Sequence, residues 1–132
     1  MAAINAHAGG DVLVVDDDTI LRDLVADWLE AAGYKVRKAA DCDAARKALH
    51  ERAPALIISD MFMPGACGAA AIAELKRGAP SIPLIAVSGY FKSGCGVSGD
   101  EALAAGAARA LAKPVRRAQL LIAVSELIGP AN

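Results

Sequence analysis

Short apolar runs alternate along this chain with segments whose apolar residues recur every three or four positions. Val12-Leu13-Val14-Val15 is a continuous run containing β-branched residues, the pattern of a strand buried on both faces. From Thr19 the period becomes helical. Leu21, Leu24, Val25, Trp28 and Leu29 make one stripe, with Asp18 or Thr19 placed to cap its start and Gly33 to end it. Trp28 falls within the stripe and reads as core.

The alternation then repeats. Tyr34 to Ala39 predicts a second strand, and Asp41 to Arg52 a helix with Ala44, Ala45, Ala48 and Leu49 inward, ended by Pro54. Leu56-Ile57-Ile58 predicts a third buried strand that stops at Ser59-Asp60. A turn at Met63-Pro64-Gly65 leads into a helix carrying Ile72 and Leu75 and ending near Gly78. Leu84 to Val87 and Ala108 to Ala112 predict the fourth and fifth strands. A last helix runs from about Arg116 to Ile128, with Leu120, Leu121, Val124 and Leu127 on one side and Gly129-Pro130 closing it. Strict strand–helix alternation with apolar strands predicts an α/β fold, a parallel sheet with helices on both faces.

With 132 residues, the chain fits one domain, read here as 11–129 behind a flexible tail at 1–10. That tail has neither the charged start and apolar run of a signal peptide nor the length of an anchor. Nowhere do about 18 apolar residues run together, so no membrane span is expected. The net charge of −1 gives no field for nucleic acid or an anionic membrane surface. Cys42, Cys67 and Cys95 are widely spaced without a C-x-x-C pair, which disfavours a zinc site or disulfide framework and fits a reducing, cytoplasmic setting.

Four predicted strand ends carry polar residues. Asp16 and Asp17, with Asp18 behind them, follow the first strand; Asp60 follows the third, Ser88 the fourth and Lys113 the fifth. Active groups in parallel α/β sheets gather beyond the carboxyl ends of the strands, so these side chains are expected to converge. Carboxylates held together repel, and one lysine does not balance three of them. A divalent cation would, and all-oxygen ligands suit Mg²⁺ or Mn²⁺. The set reads as a metal and phosphoryl site. Asp60 would be the nucleophile, Asp17 with Asp16 would hold the metal, and Lys113 and Ser88 would contact phosphoryl oxygens. Pro114 directly follows the lysine, and a cis Lys113–Pro114 bond is cheap enough to set where it points. Singly, each piece has a plainer reading: an acidic pair at a helix start, a loop turn, a Lys-Pro boundary.

In V-L-V-V-D-D-D-T-I-L-R (12–22), L-I-I-S-D-M-F-M-P-G (56–65), I-P-L-I-A-V-S-G (82–89) and G-A-A-R-A-L-A-K-P (106–114) the chain resembles the receiver domains of two-component signalling, of the chemotaxis-regulator type. The resemblance implies a doubly wound, flavodoxin-like sheet of order 2-1-3-4-5. It implies a stand-alone response regulator rather than an enzyme, taking a phosphoryl group on Asp60 from a histidine kinase or histidine phosphotransfer protein. Asp16, Asp17, Asp60 and the backbone carbonyl of Phe62 would bind Mg²⁺, and Ser88 and Lys113 match the family's hydroxyl and lysine positions. Because no effector segment follows Ile128, output is expected through binding of a downstream protein that the sequence does not identify.

Three departures stand out. The aromatic residue that receivers usually carry three before the lysine is Ala110 here, and Tyr90 or Phe91 is the nearest substitute. Residues 93–99 are glycine-rich and poor helix formers, so the fourth helix is expected to start near Asp100 behind a loop. Cys67 stands where the family often has aspartate, outside the cluster. Phe62, beside the expected path of attacking water, predicts slow loss of the phosphoryl group.

Other functions fit less of the chain. An aspartyl-nucleophile phosphatase would use Asp16 and Asp18 as its D-x-D, but Ile20 stands where that class has Thr or Val, and Asp60 would go unexplained. A phosphorylation-independent interaction module on the same fold draws on Ala110. A nucleotide-binding fold lacks its glycine signatures after the first strand.

Overall fold

A computed structural model of the chain describes residues 11–63, 66–67, 69–88 and 103–130. In order, the elements are β1 (Val12–Val15), α1 (Thr19–Ala31), β2 (Val36–Ala39), α2 (Cys42–Glu51), β3 (Leu56–Asp60), β4 (Phe62–Met63), β5 (Ala66–Cys67), α3 (Ala69–Gly78), β6 (Leu84–Ser88), β7 (Arg109–Ala112) and α4 (Arg117–Ile128). Five strands form one parallel sheet ordered β2-β1-β3-β6-β7, which is the expected 2-1-3-4-5 order.

Side chains alternate across the sheet, as the strand period of two requires. Leu13, Val15, Ile57, Leu84 and Ala86 pack on one face with Cys42 and Ala45 of α2 and Ile72 and Leu75 of α3. Val12, Val14, Leu56, Ile58, Ile85 and Leu111 pack on the other with Val25 and Leu29 of α1 and Leu120, Ala123, Val124 and Ile128 of α4. The central strands β1, β3 and β6 thus serve two cores, which is why they read as apolar runs, while the edge strands β2 and β7 carry Arg37, Lys38 and Arg109.

Several local expectations shift. Leu24 is 41% exposed, because it lies at the margin of the α1 stripe and Ala26 takes a buried place instead. In α4, Ala123 and Ile128 are buried while Leu121 and Leu127 only flank the core. Tyr34 precedes β2 rather than opening it; its ring is buried and its hydroxyl donates to the Gly129 carbonyl at 2.8 Å, tying the end of α4 to the sheet. β3 runs through Ser59 and Asp60. Beyond it, Phe62 pairs with Cys67 and Met63 with Ala66 in a small antiparallel hairpin, where only a turn was anticipated. Pro64 and Gly65, the 1–10 tail, Tyr90, Phe91 and the 93–99 loop lie outside the described residues, as does the start of the helix expected from Asp100, of which residues 103–104 are helical.

At the amino-terminal edge of the sheet, buried Asp11 joins elements distant in sequence. Its Oδ2 lies 2.7 Å from both Arg37 Nε of β2 and Arg52 Nη2 beyond α2. Arg37 also donates to the Ala48 and Arg52 carbonyls, satisfying the last turn of α2. A buried carboxylate is tolerable only with such partners.

Candidate functional site

The register fixes which residues share a level at the carboxyl edge. Val15 pairs with Ser59, so Asp16, the next residue, stands beside Asp60, and Asp60 pairs with Val87. Asp16 and Asp60 follow Val14 and Ile58 by two positions, and Lys113 follows Leu111 by two. All three therefore continue the side of the sheet that faces α1 and α4. Ser88 ends β6 and pairs with Ala112, one residue before Lys113. The Lys113–Pro114 peptide bond is cis.

Carboxylate oxygens of Asp16, Asp17 and Asp60 lie within 4.8 Å of one another. Asp16 is 6% and Asp60 3% exposed, while Asp17 is open to solvent. Lys113 Nζ sits 3.2 Å from Asp60 Oδ2 and is half-buried. Asp16 Oδ1 accepts a hydrogen bond from the Asp18 amide at 2.9 Å, and its carbonyl accepts one from Arg22 Nη1 at 2.9 Å. Burial pushes the Asp16 carboxyl up from 3.8 to about 6; the Asp18 amide opposes this, Asp60 and Asp17 add to it, and Lys113 offsets part. Such a crowded acidic site gains from a cation. Three close oxygen donors suit a hard divalent ion that keeps some of its water, so the residues present fit Mg²⁺.

Of the residues singled out in the sequence, Asp16, Asp17, Asp60 and Lys113 come together. Ser88 and Phe62 are placed by their backbones, at the end of β6 and two residues past Asp60. Asp18 is engaged elsewhere: its side chain caps α1 by accepting from the Leu21 amide at 3.2 Å. That takes one carboxylate from the D-x-D pair a phosphatase would need. Arg22 was not singled out; its tie to Asp16 has no signature in spacing or composition.

The family model of the response regulator receiver domain matches residues 12–125. This chain belongs to that family. The chain is similar in structure to the receiver domain of NtrX from Brucella abortus, with a TM-score of 0.79 and 33% identity, covering 89% of this chain and 97% of that domain. It is 37% identical over 82 residues to the nitrogen assimilation regulatory protein NtrX of Azorhizobium caulinodans, and 34% over 122 residues to the transcriptional regulatory protein ZraR of Klebsiella oxytoca. Those matches cover 61% and 89% of this chain but only 18% and 26% of the two regulators. Receivers are the phosphoacceptor signalling domains of two-component systems, and histidine kinases phosphorylate them. Among the described residues no helix is long and apolar enough to cross a membrane.

Proposed function

We propose that this receiver accepts a phosphoryl group on Asp60 in a Mg²⁺-dependent reaction and signals by a changed affinity for a partner protein. The observation that carries this reading is the meeting of Asp16, Asp17 and Asp60 within 4.8 Å, with Lys113 on Asp60. A bound Mg²⁺ would neutralise charge on the phosphoryl group in flight, held by the three carboxylates and the Phe62 carbonyl. Asp60 attacks the phosphorus of a phosphohistidine; a P–O bond forms, the P–N bond breaks, and the leaving imidazole takes a proton from solvent. Lys113 exchanges its Asp60 contact for a phosphoryl oxygen, and Ser88 donates to another. Output follows as the surface around β6 and β7 shifts between two populations.

Intact mass after incubation with acetyl phosphate and Mg²⁺ tests the proposal. Wild type gains one phosphate and Asp60→Asn gains none; an unmodified wild type overturns it. The second reading, an interaction module that does not use phosphate, is favoured only by Ala110, and an adduct on wild type dismisses it.

A further inference from the structure

Asp17 is exposed, and among the described residues no side-chain hydrogen bond anchors its carboxylate. Its position is set by its backbone, and one peptide plane holds both the Asp16 carbonyl and the Asp17 amide. Arg22 Nη1 donates to that carbonyl at 2.9 Å. Helix side chains lean toward the amino terminus, which lets a residue in the second turn of α1 reach back to the peptide preceding its cap. A cation near the positive end of a helix gains nothing from the macrodipole. Helix stability therefore does not account for Arg22, whereas a charge-assisted bond to the Asp16 peptide does.

We infer that Arg22 is a positioning residue for the cation site: by pinning the Asp16–Asp17 peptide it aims the Asp17 carboxylate at the point where Asp16 and Asp60 converge. The inference rests on the metal-binding reading above. Arg22 touches neither metal nor phosphoryl group; it acts through Asp17. The Asp18 amide does the complementary work on the Asp16 carboxylate. Without Arg22 the cation must order Asp17 itself, and affinity drops. Partners that orient metal ligands are typically worth about 10- to 100-fold in affinity.

Calorimetric titration of the full chain with Mg²⁺ alone, with no phosphoryl donor, separates this role from a general structural one. Wild type, Arg22→Met, Arg22→Lys and Lys38→Met are compared. Lys38 ties β2 to α1 through Asp23 at 3.0 Å without touching the Asp16 peptide, so its loss reports what loosening α1 alone does. The expected result is Mg²⁺ binding about tenfold weaker for Arg22→Met, partly restored in Arg22→Lys, and within about twofold of wild type for Lys38→Met. If Arg22→Met does not fold, Arg22→Gln, which keeps one neutral donor, carries the same comparison. Wild-type affinity in the Arg22 variants overturns the inference, as does an equal loss in Lys38→Met. Wild type that takes up no Mg²⁺ at all overturns instead the site reading on which the inference depends.

Discussion

Replacing Asp16 by Asn is expected to stabilise the metal-free protein while removing a metal ligand. Burial, Asp60 and Asp17 hold the Asp16 carboxyl at about 6 against an ordinary 3.8. At about 1.36 kcal/mol per pH unit this is at most about 3 kcal/mol. The cleft opens to solvent at Asp17, and screening reduces the figure to about 1–2 kcal/mol. The sign follows from linkage. Because the folded state binds this proton more tightly than the unfolded chain, metal-free wild type loses the stability in question as pH rises from about 4 to about 6. Asn carries no such charge, and its oxygen still accepts from the Asp18 amide. Urea unfolding in EDTA, followed through Trp28, should show the two proteins nearly equal at about pH 4 and the variant ahead by about 1–2 kcal/mol at pH 7. That gap moves the midpoint by about 0.5–1 M. Excess Mg²⁺ should reverse the order by stabilising wild type selectively. A variant no more stable than wild type at pH 7, or a gap that ignores pH, would refute the electrostatic account of the site.

Other outcomes follow from the same geometry. Asp11→Asn leaves Arg37 and Arg52 without their shared carboxylate and should cost about 2–3 kcal/mol in urea unfolding; a change under about 0.5 kcal/mol would mean the pairs are as weak as surface ones. Leu75→Ala empties a fully buried site between α3 and the sheet and should cost about 2–5 kcal/mol by the same assay. Phe62→Asn should shorten the life of the phosphorylated form, followed as loss of the adduct mass with time; an unchanged lifetime counts against Phe62 hindering water.

Most of the sheet could be read directly from the chain, because a strand buried on both faces has no polar positions to confuse it. Val12–Val15, Leu56–Ile58 and Leu84–Val87 are such runs, and all three lie in strands. Their order is not in those runs; it came with the resemblance to receiver domains, and the sheet has it. Periodicity is weaker at helix margins: Leu24 and Ala26 lie on either side of the α1 boundary, and hydrophobicity alone favours the wrong one. The hairpin at Phe62–Cys67 escaped because two-residue strands leave no period to detect. Long-range polar contacts escaped for a different reason. Asp11 with Arg37 and Arg52, Tyr34 with Gly129, and Arg22 with the Asp16 carbonyl depend on which chain ends the fold brings together, and no local pattern records that. The acidic cluster was legible because its members sit at strand ends, where topology alone makes them neighbours.

Asp60 is the proposed acceptor, and the most direct measurement locates the phosphate. Protein treated with acetyl phosphate is reduced with borohydride, which converts an acyl phosphate to an alcohol, and is then digested and mapped by mass. With Mg²⁺ present the reduced carboxyl should appear at residue 60 alone, and with EDTA it should be absent. Reduction at Asp16 or Asp17, or labelling of Asp60 that is indifferent to Mg²⁺, would contradict it.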